Sequence, residues 1–324
     1  MKKISSIVTF LFLSSLAFAT HEIAGQITIK CLQGSTYEIT VVTYTRGTTM
    51  QADRCHLNFY FGDGDSAAVC RSNFELGDPT TDPWGANGCT GNPYCSTTHM
   101  GEWTSGNLPS LNLKKNVFTT THTYPGPGIF IVSVLDPNFE DVLINLPAQQ
   151  ALMLVDTLNN LLPLNNNPSY STLPFGTATL FQPFTYNPGA VDPDGDMLSY
   201  SLIAPPGTSG YFDPPASSSF GIDAATGDVT WDSPFAIGKY IFCVVTHEWR
   251  LSPITSQYYM IGNSMQIVSI NVISAAGVGE SNEPMTQIST FPSPTTGEIN
   301  FSISGSTDYR NCNLQILDYS GRTV

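Results

Sequence analysis

An all-β chain folded as turn-rich sandwiches is what this sequence predicts, and three observations carry the prediction. Short runs of β-branched and aromatic residues alternate with polar ones, as in "YEITVVTYT" (37–45) and "MQIVSINVI" (265–273). Turn-forming residues cluster between the runs, with 27 Gly and 23 Pro in 324 residues. Charged residues are scarce at 12%. That balance suits an extracytoplasmic β protein better than a helical cytosolic one.

The first stretch, "MKKISSIVTFLFLSSLAFAT", joins two lysines, an apolar run and the small-x-small end Ala17-Phe18-Ala19. It reads as a signal peptide over 1–19. Its removal takes Lys2 and Lys3, leaving 10 basic residues against 26 acidic ones. Such a surface repels nucleic acid and is compatible with divalent cations. No later apolar run approaches the roughly 20 residues of a membrane-crossing helix, so no integral membrane segment is expected.

The first block, 20–156, opens with "QITIKCL", "YEITVVTYT" and "HLNFYFGDGD" as strands. Residues 66–116 read as a long loop, rich in Gly, Pro, Asn and Thr. Five of the seven cysteines precede residue 96. Cys89 and Cys95 flank the turn-rich "TGNPY" and form the most local disulfide candidate in an oxidising compartment. There is no C-x-x-C and no accompanying histidine pattern, so zinc is not expected. Trp84, Tyr94 and Trp103 lie in the same insertion. They are candidate ligand-contact aromatics, able to stack on sugars or fill a partner's pocket, or else a small satellite core. Strand character resumes in "NVFTTTHTYPGPGIFIVSVLDPN".

A second block covers 157–273. "LLPLNNNPSYSTLP" reads as a linker or an edge strand. "MLSYSLI", "FGIDAATGDVTW", "GKYIFCVVTHEWR" and "MQIVSINVI" then follow as strands. Alternation puts Ile241, Cys243, Val245, His247 and Trp249 on one face. His247 is expected to satisfy a local hydrogen bond or cover a core edge, because "THEWR" lacks the spacing of a zinc protease helix. A small-residue acidic linker, 274–287, leads to a last β-module, 288–324.

Three stretches resemble known families. "FYFGDGD" answered by "THTYPGPGIFIVSV" resembles the PKD domain, an immunoglobulin-like sandwich. "VDPDGDMLSYSL" followed by "FGIDAATGDVTW" resembles cadherin-like bacterial surface repeats. "FPSPTTGEINFSI" with "LQILDYSGRTV" resembles the C-terminal sorting domain of type IX secretion cargo, matching at Pro292, Pro294, Gly297, Asp318, Gly321 and Arg322. The resemblances imply tandem immunoglobulin-like β-sandwiches, a partial C-terminal sorting module, and the type IX secretion machinery as a partner. They also imply export through the periplasm to the cell surface or beyond.

The aspartates of "DPDGD", Asp192, Asp194 and Asp196, admit two readings. Asx side chains cap backbone amides and Gly195 allows positive φ, which makes a structural turn. Clustered carboxylates also supply the oxygens that calcium wants, and the cadherin-like resemblance implies that metal. Asp63 and Asp65 in "FGDGD" are expected to be mainly structural. The sequence carries no G-x-S-x-G, no phosphate-binding loop and no selected acid pair, so no enzyme activity is expected. The expected role is adhesion or extracellular interaction with a protein or polysaccharide ligand. The alternative is a polysaccharide-binding accessory part of an extracellular hydrolase system.

Overall fold

A computed structural model describes residues 22–46, 54–72, 94–95, 102–104, 113–136, 139, 143–147, 150–161, 165–274, 287–291 and 300–304. Among them there is no helix, so none is long and apolar enough to cross a membrane. In chain order the strands are β1 (Glu22–Gln33), β2 (Thr36–Arg46), β3 (His56–Tyr60), β4 (Ser66–Cys70), β5 (Glu102–Thr104), β6 (Leu113–Thr123), β7 (Ile129–Asp136) and β8 (Leu152–Asn159). There follow β9 (Ser169–Tyr170), β10 (Phe175–Thr179), β11 (Phe184–Tyr186), β12 (Ala190–Val191), β13 (Met197–Ile203), β14 (Phe220–Ile222) and β15 (Val229–Trp231). The last four are β16 (Gly238–Leu251), β17 (Tyr258–Ile273), β18 (Gln287–Phe291) and β19 (Asn300–Ser304). The 66–116 stretch, expected as a loop, contains β4, β5 and the start of β6. Its strands are short or pair far away in sequence, so composition masks them.

One wall of the sheet runs β4-β3-β7-β8 and the other β1-β2-β6-β5. β17 joins them, pairing Asn263 with Thr157 of β8, and Gly25 and Gln26 of β1 with Ile267 and Gln266. An isolated bridge between Arg71, just past β4, and Phe118 of β6 brings the far ends together. The result is a nearly closed barrel. Its interior is filled by Ile27, Ile29 and Ile39 from one wall, Leu57, Phe59 and Val132 from the other, and Phe118 and Phe139. Each side chain removed from water here contributes about 1.5–3 kcal/mol.

The hairpin β16–β17 pairs from Gly238↔Val272 to Leu251↔Tyr258, with a register shift between Glu248 and Trp249. Ile241, Cys243 and Ile267 on one face enter the barrel core. Tyr240, Phe242, Val244, Val268, Ile270 and Val272 on the other face build a second core with Tyr186, Tyr200, Val229 and Trp231. The unbroken apolar run "YIFCVV" follows from this, because a strand buried on both faces has no polar side to show. β13 extends the hairpin antiparallel to β16, and β10 runs parallel to β17. A small sheet of β11, β15 and β14 supplies Tyr186, Val229 and Trp231 to the second core. The two blocks that the sequence divides at 156/157 thus share one sheet and one hairpin.

Ser274–Val324 form a separate compact unit. Apart from Ser274, its described residues are the antiparallel pair β18–β19, registered from Gln287↔Ser304 to Phe291↔Asn300. Pro292, Pro294, Gly297, Asp318, Gly321 and Arg322 lie outside the described residues, as do the 1–19 leader, Trp84 and Cys89.

Candidate functional site

The "DPDGD" turn connects β12 to β13 and folds as its residue types dictate. Asp192 Oδ1 accepts the backbone N–H groups of Asp194 and Asp196, both at 2.9 Å, and Gly195 takes φ +82°. The carboxylate oxygens of Asp192, Asp194 and Asp196 lie within 4.8 Å of one another. Arg250 on β16 donates from Nε to Asp196 Oδ1 at 2.8 Å and from Nη2 to Asp196 Oδ2. Its Nη2 also lies 3.7 Å from Asp194 Oδ2. Arg250 thus meets two of the three carboxylates, Asp194 and Asp196. Asp192 Oδ2 is buried without a hydrogen-bond partner. Burial, followed by the charges of Asp196 and Asp194, raises the Asp192 carboxyl above its ordinary range despite the two amides that hold it down. These donor types suit a hard cation.

The segment read as a linker carries a triple asparagine, and each of the three reaches a different element. Asn165 donates Nδ2 to Glu248 Oε2 at 2.7 Å and accepts from Arg250 Nη2 at 3.0 Å. Asn166 donates its backbone N–H and its Nδ2 to Asp194, at 2.7 and 2.9 Å, while its Oδ1 accepts the Cys31 N–H. Asn167 donates Nδ2 to Asp156 Oδ2 at 2.8 Å, and its backbone N–H bonds Ile29 O. The run is thus a strap tying β1, β8 and β16 to the acidic turn. Sequence reasoning passed over it. The available signal was three amides in a row ahead of Pro168, more hydrogen-bonding capacity than a solvated linker needs.

Beneath the strap lie two buried acids. Asp156 is 0% exposed and Glu248 1%. Burial raises Asp156 well above the carboxylate range and pushes Glu248 up to about 8. A Cβ on Gly262, across from Glu248 on β17, would meet Glu248 Oε1 at 2.8 Å, so a side chain there would make the Glu248 carboxyl group shift. Tyr170 OH bonds Ser264 Oγ at 2.6 Å and Thr246 Oγ1 at 3.2 Å beside them. His247, on the opposite face of β16, bonds Ser201 Oγ at 2.9 Å, as a locally satisfied histidine would.

The two halves of the "FGDGD … HTY" pattern meet at the barrel rim. Asp63 Oδ1 accepts the Asp65 N–H, and Asp63 Oδ2 lies 2.7 Å from His122 Nε2. The His122 ring stacks on Phe61 at 4.0 Å, and Tyr124 OH bonds Phe61 O. Every one of these contacts serves the turn. Asp63, Asp65 and His122 also form a second group with ligand atoms within 4.8 Å.

The cysteines correct one expectation. Cys95 is bonded to Cys70, with Cα atoms 5.7 Å apart, and not to Cys89. The β3–β4 hairpin fixes Cys70 at the barrel rim, and the chain returns Cys95 to it; closeness in sequence was the wrong guide. Cys55 is disulfide-bonded as well, whereas Cys31 and Cys243 are free thiols. Tyr94 beside the bridge is 64% exposed and tilts against His56 at 4.7 Å. Trp103 lies on β5, opposite Lys114.

Compared with protein-family models and with curated proteins, the chain matches none.

Proposed function

We propose that this chain is a non-catalytic secreted or cell-surface protein that acts in adhesion or extracellular interaction. It is exported by its leader through the periplasm and then by the type IX secretion machinery. The observation that supports this reading is the Cys70–Cys95 bridge beside the exposed Tyr94. A disulfide at a barrel rim belongs in an oxidising compartment, and an exposed aromatic on a cross-linked support is a preorganised contact. In this reading the two packing zones are variants of immunoglobulin-like sandwiches sharing a hairpin. Calcium is an additional ligand of the Asp192, Asp194 and Asp196 turn, favoured by the unpartnered Asp192 Oδ2.

The test is capture of extracellular proteins and binding to a glycan array by the immobilised chain, with surface fractionation of the native host. A surface location with a protein ligand lost in Tyr94→Ala supports adhesion. Glycan binding that needs Trp84 or Trp103 supports the polysaccharide-binding accessory role instead. A cytoplasmic location would overturn both.

A further inference from the structure

Asp156 and Glu248 each have one carboxylate oxygen held by an asparagine of the strap. The other oxygen, Asp156 Oδ1 or Glu248 Oε1, is buried with no hydrogen-bond partner. Asp156 belongs to a barrel strand, and Glu248 to the hairpin that serves both cores. The two interact electrostatically with each other and with Tyr170. Around Asp156 the titratable neighbours are Glu248, Tyr170 and Tyr124. Around Glu248 they are Asp156, Tyr170 and the aspartates of the turn, 192, 194 and 196. Among the described residues Arg250 is a cation nearby, and it engages Asp196, Asp194 and Asn165. Every other titratable neighbour named is an acid or a phenol.

We propose that Asp156 and Glu248 form a proton-held latch on the Asn165–Asn167 strap: the folded chain keeps both as carboxylic acids, and their ionisation as pH rises loosens the strap from β8 and β16. Two carboxylates in this setting would be buried like charges, each with an unsolvated oxygen. A proton on each removes the charge and turns the orphaned oxygen into a hydroxyl. The balance is simple: one proton leaves each carboxyl to solvent, and no bond to carbon changes. The displaced segment would be the strap, because it holds both acids through single side-chain amides, whereas β8 and β16 are locked in long ladders.

The direction follows from linkage. A carboxyl whose folded pKa lies above its unfolded value contributes stability that is complete below the unfolded pKa and is lost as pH rises towards the folded one. For Glu248 that window runs from the ordinary 4.5 to about 8.

The experiment uses the full chain. Chemical unfolding at a series of pH values from about 5 to about 8.5 is compared for the wild type, Glu248→Gln and Asp156→Asn. Amide hydrogen exchange is read at Asn167, whose N–H bonds Ile29 O. In the wild type the folding constant should fall by up to about tenfold per pH unit for each group in its window. Protection at Asn167 should fall with it, ahead of the β16–β17 amides. Each substitution should remove its own share of that slope. If a substituted chain does not fold, the wild-type exchange profile decides alone. Parallel pH curves in wild type and variants, or an Asn167 amide whose protection follows the hairpin at every pH, would overturn the proposal.

Discussion

His122 Nε2 lies 2.7 Å from Asp63 Oδ2, joining residues 59 apart in the chain, and the His122 ring is stacked on Phe61 two residues before that aspartate. Burial by itself would raise the Asp63 carboxyl. The His122 hydrogen bond, the Asp65 amide and the histidine's charge outweigh it and bring the carboxyl below its ordinary range. His122→Ala removes the hydrogen bond and the stack together, and should cost about 1–3 kcal/mol in urea unfolding. A carboxyl held low contributes stability above its unfolded pKa and loses it in acid. The wild type should therefore lose this contribution below the ordinary 3.8, and Asp63→Asn should show a shallower acid slope in the same window.

Ile241 and Phe242 are neighbours on β16 but belong to different cores. Ile241→Ala should cost about 2–5 kcal/mol and Phe242→Ala about 3–5 kcal/mol. Because the hairpin is common to both, residues 22–273 should still unfold in one transition in either variant. Fluorescence and far-ultraviolet dichroism followed together test this, and two separated midpoints would show that the cores melt independently.

Cys70 and Cys95 are 25 residues apart. Replacing either with serine should cost about 3 kcal/mol if the bridge acts mainly on the unfolded chain. Non-reducing peptide mapping should recover the Cys70 and Cys95 peptides linked to each other. A Cys89–Cys95 peptide would contradict the structure.

Arg250 neutralises part of the acidic turn. Arg250→Met should destabilise the chain by about 2–3 kcal/mol, since it leaves Asp196 without its charged donor. If the turn also takes calcium, millimolar calcium should raise Tm in the wild type, recover part of the loss in Arg250→Met, and do neither in Asp194→Ala. Calorimetric melts with and without the ion read all three; an unmoved Tm in every chain marks the turn as structural.

Local chemistry was legible in the sequence. The Asx turn at Asp192, the positive φ of Gly195 and the alternation along β16 all follow from residue types over a few positions. Partners were less so. Nothing in a period of two tells whether Ile241 and Phe242 face one core and solvent or two cores, and the run "YIFCVV" hinted only that both faces are dry. The Cys70–Cys95 pairing depends on where a hairpin puts Cys70, which spacing does not encode. Asp156 stood inside an apolar strand, and its significance appears only once Asn167 and Glu248, distant in sequence, are brought beside it.

Gln26 of β1 pairs with Gln266 of β17, whose side chain bonds it across a separation of 240 residues. β1 pairs early with β2, but the barrel cannot close on its other side until the middle of β17 is in place. Until then the barrel is a curved sheet with a missing stave. Such long-range closure is slow to form.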